Sequence, residues 1–280
     1  MINLEERGFK NIKNIYVCEF ISGHGGDFFI TLYSTCNKDF LRFLKNKEEL
    51  LSRFDKNDTS IKFRMPGNNI GGKIMYSTGD MEENIINDLN KLLLQQPTES
   101  PNSKFLNIAT HPYKMIDIRD GIEKKTNISI SSYIYNFFES KYEYKNIILV
   151  PTTFESFAFI EYFRHLEGLP IQSNLYNSES DSVINSKEIK GDIICIDHID
   201  IALNCEGKLL SLCKKLVNDN YDEDMFEMTL NYYKEKKLEK FLDWLNTTPL
   251  REQLEEKYNE NKQEHAFTVI NSKNIDEFLK

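Results

Sequence analysis

Short apolar runs alternate along this chain with longer stretches in which apolar residues recur at helical intervals. Residues 14–22 form the first run, Asn-Ile-Tyr-Val-Cys-Glu-Phe-Ile-Ser, which leads into Gly23-His24-Gly25-Gly26-Asp27. Over 28–44, Phe28, Phe29, Leu32, Tyr33, Phe40, Leu41 and Leu44 share one helical face, so the first unit reads strand, glycine turn, helix. Residues 55–80 are polar and rich in turn formers, and 81–96 form a second helical pattern stopped by Pro97. Residues 104–110 read as a short strand delivering His111-Pro112 to its end. Residues 145–150, Lys-Asn-Ile-Ile-Leu-Val, read as a buried strand closed by Pro151-Thr152-Thr153 and followed by a helix over 154–166. After a polar connection over 167–191, residues 192–197 form the next buried strand, which passes through Asn204-Cys205-Glu206-Gly207 into a helix over 208–217. Residues 223–245 predict one or two amphipathic helices, Pro249 starts another helical stretch, and 266–270 read as a terminal strand.

Strands that are continuous apolar runs, separated by helices, indicate a parallel sheet covered on both faces. The expected fold class is therefore α/β, a three-layer α/β/α arrangement with a mainly parallel sheet and helical C-terminal additions. One domain over 1–280 is expected, with its core at about 14–245 and an extension over 246–280.

Composition narrows the function. The 280 residues hold 35 Lys+Arg against 44 Asp+Glu, a net charge of −9, which argues against a nucleic-acid or anionic-membrane binder. The first residues lack a basic segment followed by an apolar run, and no window offers about 18 consecutive apolar residues, so a soluble cytoplasmic protein without a membrane span is expected. The five cysteines are odd in number and form no Cys-x-x-Cys pair, which fits neither a disulfide framework nor a zinc site. Asp197-His198-Ile199-Asp200 has no matching ligand cluster elsewhere and reads as a solvated loop; no metal is expected.

In a parallel sheet, ligands bind beyond the carboxyl ends of the strands. A glycine turn entering a helix bares backbone N–H groups and points the helix dipole at an anion, which makes Gly23, His24, Gly25, Gly26 and Asp27 the first candidate binding set. Asp27 either contacts the ligand or caps the helix, and His24 either assists an anion or simply sits in the turn. The turn lacks the Gly-Lys-Ser/Thr of a Walker A loop, and Phe28 stands where a dinucleotide fingerprint needs glycine. His111, at a strand end, is a candidate general base or a loop hydrogen-bonding residue. Thr152 with Glu155 reads as a capping box whose helix N-terminus could still take a phosphate, with Thr153 and Ser156 beside it. Arg164 and His165 suit the negative end of that helix, and the apolar side of 223–245 reads as a packing face.

This order of parts resembles the PAPS-dependent sulfotransferase family, a branch of the P-loop fold that carries phosphoadenosine phosphosulfate (PAPS), and bacterial and phage relatives in particular. Ser22-Gly23-His24-Gly25-Gly26-Asp27-Phe28-Phe29 lies where the family's loop holds the phosphosulfate, and Ala109-Thr110-His111-Pro112 is similar to the Lys-Thr-His segment whose histidine deprotonates the acceptor hydroxyl. Residues 147–164 resemble the strand, turn and helix that hold the phosphate on the ribose, and 197–233 follow the later layout. The resemblance spans roughly 14–244. It implies sulfuryl transfer from PAPS to a small-molecule or glycan hydroxyl, with His111 as base and Gly23, His24, Gly25, Gly26, Asp27, Thr152, Thr153 and Ser156 at the donor. The chain departs from the pattern in lacking the loop lysine and its Ser/Thr pair, and in carrying Ala109 for lysine, Thr152 for arginine and Ile160 for serine. Those losses bear on catalysis more than on fold, since sulfuryl transfer relies on positive groups at the transferring oxygens. Two other readings stand beside it: a non-catalytic protein on the same fold, which predicts a homo-oligomer or another protein assembly and no nucleotide binding, and another nucleotide-dependent transferase such as a glycosyltransferase.

Overall fold

The computed structural model describes residues 3–6, 12–20, 25–36, 73–74, 87, 105–110, 114–119, 122–129, 137–166, 168–171, 191–217, 221–264 and 275–280. Its centre is a five-stranded sheet, built from β1 (Asn14–Glu19), β2 (Lys73–Ile74), β3 (Phe105–Thr110), β6 (Glu143–Leu149) and β7 (Asp192–Ile196) in the order β2-β3-β1-β6-β7. Every pairing in it is parallel. The sequence expectation is met for four of the five: 14–22, 104–110, 145–150 and 192–197 match β1, β3, β6 and β7 to within three residues at either end, whereas β2 lies in 55–80, the stretch expected to be polar and rich in turns. A separate antiparallel ribbon of β4 (Lys114–Arg119) and β5 (Ile122–Ser129) is not among the predicted elements. Its signal is nonetheless present, because Ile116 and Ile118 alternate with Asp117 and Arg119, and the pairing of Arg119 with Ile122 leaves Asp120-Gly121, a favoured two-residue hairpin link, between the strands.

Register explains why the strands are continuously apolar. Cys18 pairs with Ile147, which pairs with Ile194, and partners across a parallel ladder share a face. Tyr16, Cys18, Ile147, Leu149, Ile194 and Ile196 therefore line one face, while Ile15, Val17 and Ile148 line the other, and all nine are buried. A strand buried on both sides favours apolar residues at successive positions, each fully buried large aliphatic side chain contributing about 1.5–3 kcal/mol, and the buried polar Asn146 of β6 is accommodated by donating to the Asp192 carbonyl. Both faces of the sheet are buried, as expected, and the described helices all join the core on one of them.

The helices are α1 (Gly26–Thr35), α2 (Phe154–Leu166), α3 (His198–Asn204), α4 (Glu206–Val217), α5 (Glu223–Tyr233), α6 (Glu239–Thr247), α7 (Arg251–Glu264) and α8 (Ile275–Leu279). Each contributes to one contiguous apolar cluster on the Tyr16–Ile147 face of the sheet. α2 has the limits the sequence predicts, and α5 and α6 divide 223–245 at a π-helical turn, Lys234–Leu238. Leu254 of α7 and Phe278 of α8 are buried in the same cluster, so the C-terminal additions share the main core. The expected solvated loop over 197–200 is corrected: Asp197 and His198 are buried, and α3 begins there because Ile199 and Ala202 recur at helical spacing against the core. The second helical pattern, 81–96, lies outside the described residues apart from Asn87, which is helical; the expected strand over 266–270 also lies outside them. Among the described residues no helix is long and apolar enough to cross a membrane.

Candidate functional site

β1 lies between β3, which follows it in the chain on one side, and β6 on the other, so the sheet order reverses next to β1. A crevice forms at the carboxyl ends of strands where the order reverses, and the turn after β1 opens there. Gly25 closes this turn with φ +74° and accepts from Phe29 N–H at 3.1 Å, starting α1. Only glycine fits: a Cβ on Gly25 would stand 2.8 Å from Tyr233 Oη and 3.2 Å from His198 Nε2, besides requiring a left-handed backbone that L side chains avoid. A Cβ on Gly26 would stand 2.1 Å from the Phe20 ring.

Tyr233 and His198 reach the glycine turn from α5 and α3. The Tyr233 ring stacks on Phe28, in the first turn of α1, with centroids 3.4 Å apart and planes 5° apart. That stacking fixes the phenol's direction. Tyr233 is 2% exposed, and its hydroxyl has no hydrogen-bond partner among the described residues. Burial holds its ionisation far above the usual tyrosine range, so the hydroxyl remains a proton donor. His198 is fully buried beside Phe29, with ring centroids 5.7 Å apart.

The turn after β6 is built around a carboxylate. Asp197, directly after β7, accepts on Oδ2 from Thr152 N–H (2.6 Å), the Thr152 hydroxyl (2.8 Å) and Thr153 N–H (3.3 Å). Its Oδ1 accepts from the Ser156 hydroxyl (2.6 Å) and from Asp200 N–H (3.1 Å). With the Ser156 proton committed to Asp197, the Thr153 hydroxyl, 2.9 Å away, donates to Ser156 Oγ while accepting from Ser156 N–H at 3.3 Å. Asp197 thus caps α3 and at the same time sits at the N-terminus of α2, where two helix dipoles favour a negative charge. Tyr258 of α7 closes the other side of the turn, donating to the Thr152 carbonyl at 3.0 Å.

These contacts correct the expected capping box. The capping residue of α2 is Thr153 rather than Thr152, with Ser156 three positions on, because Thr152 spends both its donors on Asp197. Thr152, Thr153 and Ser156 do come together, around Asp197, and Gly25 and Gly26 come together beside Tyr233. Asp27 lies in the first turn of α1, with only its backbone described. Gly23, His24 and His111 lie outside the described residues; β3 ends at Thr110, paired with Glu19 at the end of β1. Arg164 pairs with Glu161 at 3.6 Å and donates to the Pro170 carbonyl, and His165 lies against Trp244, which are structural contacts at the far end of α2.

Asp197 and Tyr233 are absent from the site that the sequence predicts. Asp197 carries a signal, an aspartate between an apolar strand and an apolar helical face, which is the usual N-cap pattern. The Tyr233 hydroxyl carries none, since a tyrosine on an apolar helix face reads as packing. Chemically the two turns differ. The Gly25 turn opens a helix and has a desolvated phenolic donor beside it, which fits an anion, whereas the α2 turn already holds the carboxylate of Asp197. No protein-family model, curated protein or solved structure matches this chain.

Proposed function

We propose that this chain is a transferase of the sulfotransferase type, moving a sulfuryl group from PAPS to an acceptor hydroxyl on a small molecule or glycan. The observation that carries the reading is the central place of β1, which puts the Gly25-Gly26 turn and the start of α1 at the point where the sheet order reverses. The backbone N–H groups of Gly25 and Gly26 hold the phosphosulfate, and His111, following β3 next to β1, takes the proton of the acceptor hydroxyl. The donor supplies an activated sulfuryl group, whose sulfur–oxygen bond to the bridging phosphate oxygen breaks as the acceptor oxygen bonds to sulfur. The two turns fit the phosphosulfate end of the donor better than its ribose phosphate, because Asp197 fills the turn that the resemblance assigns to that phosphate.

Titrating the purified protein with adenosine 3′,5′-bisphosphate tests the reading. Ligand at a hundred times its Kd stabilises the protein by about 2.7 kcal/mol, a rise in Tm of roughly 5 °C for a chain of this length. No rise at millimolar ligand removes the donor site.

Asp197 favours a second reading, a non-catalytic protein on the same fold. An internal carboxylate does for the N-terminus of α2 what a bound phosphate would do, leaving the turn complete without a ligand. This reading expects no nucleotide binding together with stable assembly, visible as a mass above one chain by light scattering.

A further inference from the structure

The glycine turn after β1 holds one group that neither packing nor capping accounts for. Burying a hydroxyl without a partner costs free energy that a phenylalanine at the same position would avoid, since the ring contacts would be kept. Tyr233 keeps the hydroxyl. Its ring is clamped on Phe28, its oxygen stands where a Cβ on Gly25 would come within 2.8 Å, and no described residue supplies it with an acceptor. α1 is ten residues long and begins at Gly26, so the hydroxyl flanks the N-terminus of a full helix.

We infer that Tyr233 is a binding residue for an oxyanion, its hydroxyl donating to a sulfate or phosphate oxygen held at the Gly25 turn by the N-terminus of α1. This inference rests on the donor site proposed above and adds a side chain to it. The site then recognises the anion with neutral donors, backbone N–H groups and one phenol, which is consistent with the absence of lysine from the glycine loop. Burial keeps the phenol protonated across the physiological range, as a donor to an anion must be. Gly25 acquires a second reason to be glycine: any side chain would stand between the hydroxyl and the turn.

Full-length wild type and Tyr233→Phe, titrated calorimetrically with adenosine 3′,5′-bisphosphate and separately with sodium sulfate, test this, with Tm recorded for each without ligand. Phenylalanine keeps the stacking on Phe28, so the unliganded variant should melt at the same temperature as wild type or a few degrees higher. The loss of a hydrogen bond to a charged group should weaken binding roughly 10- to 100-fold for both probes. Binding within twofold of wild type, or a Tm several degrees lower without ligand, overturns the inference and makes the hydroxyl a structural group. If wild type binds sulfate but not the bisphosphate and Tyr233→Phe loses sulfate, Tyr233 stands as the anion residue while the nucleotide-donor reading falls. If wild type binds neither, both fall together.

Discussion

Ser156 of α2 donates to the carboxylate of Asp197 over 2.6 Å, joining positions 41 apart in sequence. The same carboxylate receives Thr152, Thr153 and Asp200, so the starts of α2 and α3 share one acceptor at adjacent strand ends. Removing that acceptor strands several partly buried donors at once. Asp197→Ala should cost about 3–5 kcal/mol, and Ser156→Ala, which leaves the carboxylate its other donors, about 1–2 kcal/mol. The double variant should cost less than the sum of the two, because Ser156 has no acceptor left to lose; urea denaturation of the four proteins checks it.

Three glycines should respond differently to alanine. Gly26→Ala drives a Cβ to 2.1 Å from the Phe20 ring and should destabilise by about 3 kcal/mol or prevent folding. Gly25→Ala combines a left-handed backbone with a 2.8 Å approach to Tyr233 Oη and should cost about 1–3 kcal/mol. Gly207, in the first turn of α4, has no described neighbour within 4 Å of an added Cβ, so Gly207→Ala should stabilise by about 0.4–1 kcal/mol. Thermal melts of the three variants decide the order.

Alkali should unfold the protein through its tyrosines. Burial, aided by the neighbouring Tyr142, pushes Tyr144 up to about 12, and burial holds Tyr16, Tyr33, Tyr221 and Tyr233 higher still. With folded values above the ordinary one near 10, the unfolded chain loses protons first. The stability from this source is complete below pH 10 and declines as the pH rises through the folded values. Urea midpoints from pH 8 to pH 12 should fall, phenolate absorbance should rise with unfolding rather than before it, and Tyr144→Phe should flatten the fall between pH 10 and pH 12.

Tyr258 ties α7 to the turn after β6 through the Thr152 carbonyl, and its ring lies 5.9 Å from both Phe154 and Phe157. Tyr258→Phe should cost about 1 kcal/mol and Tyr258→Ala about 3 kcal/mol, with faster amide exchange in α7 and in the first turn of α2.

Under the proposed transfer, His111→Ala should lower turnover by about 10²–10⁴-fold while leaving the affinity for adenosine 3′,5′-bisphosphate unchanged. A turnover assay with radiolabelled PAPS and a panel of hydroxyl acceptors reads it, and unchanged turnover removes His111 as the base.

The sheet is legible in the sequence because burial on both faces favours a nearly continuous apolar run, as in Ile-Ile-Leu at 147–149, with Asn146 the buried polar exception in the same strand. The position of the glycine turn is legible for the same reason, since it follows directly from where β1 ends. The hub at Asp197 is not, because its donors in the α2 turn lie 41 to 45 positions earlier and the pairing exists only once β6 and β7 lie side by side. The choice of Thr153 over Thr152 as the cap depends on that distant partner, which no local rule supplies. Tyr233 is hidden differently: its ring obeys the helix pattern and only its oxygen departs from it.

The π-helical turn Lys234–Leu238 acts as a phase shifter between α5 and α6. In an uninterrupted α-helix Tyr233 and Phe241 would point about 80° apart, but one absorbed residue brings them to the same side. Both rings accordingly meet Phe159, at 6.4 and 5.1 Å. Deleting a single residue within 234–238 would keep the helix and rotate Phe241 and the rest of α6 by roughly 100° relative to Tyr233, which its stacking on Phe28 holds in place. The meeting of both rings on Phe159 is therefore set by the number of residues in this segment, whatever their identity.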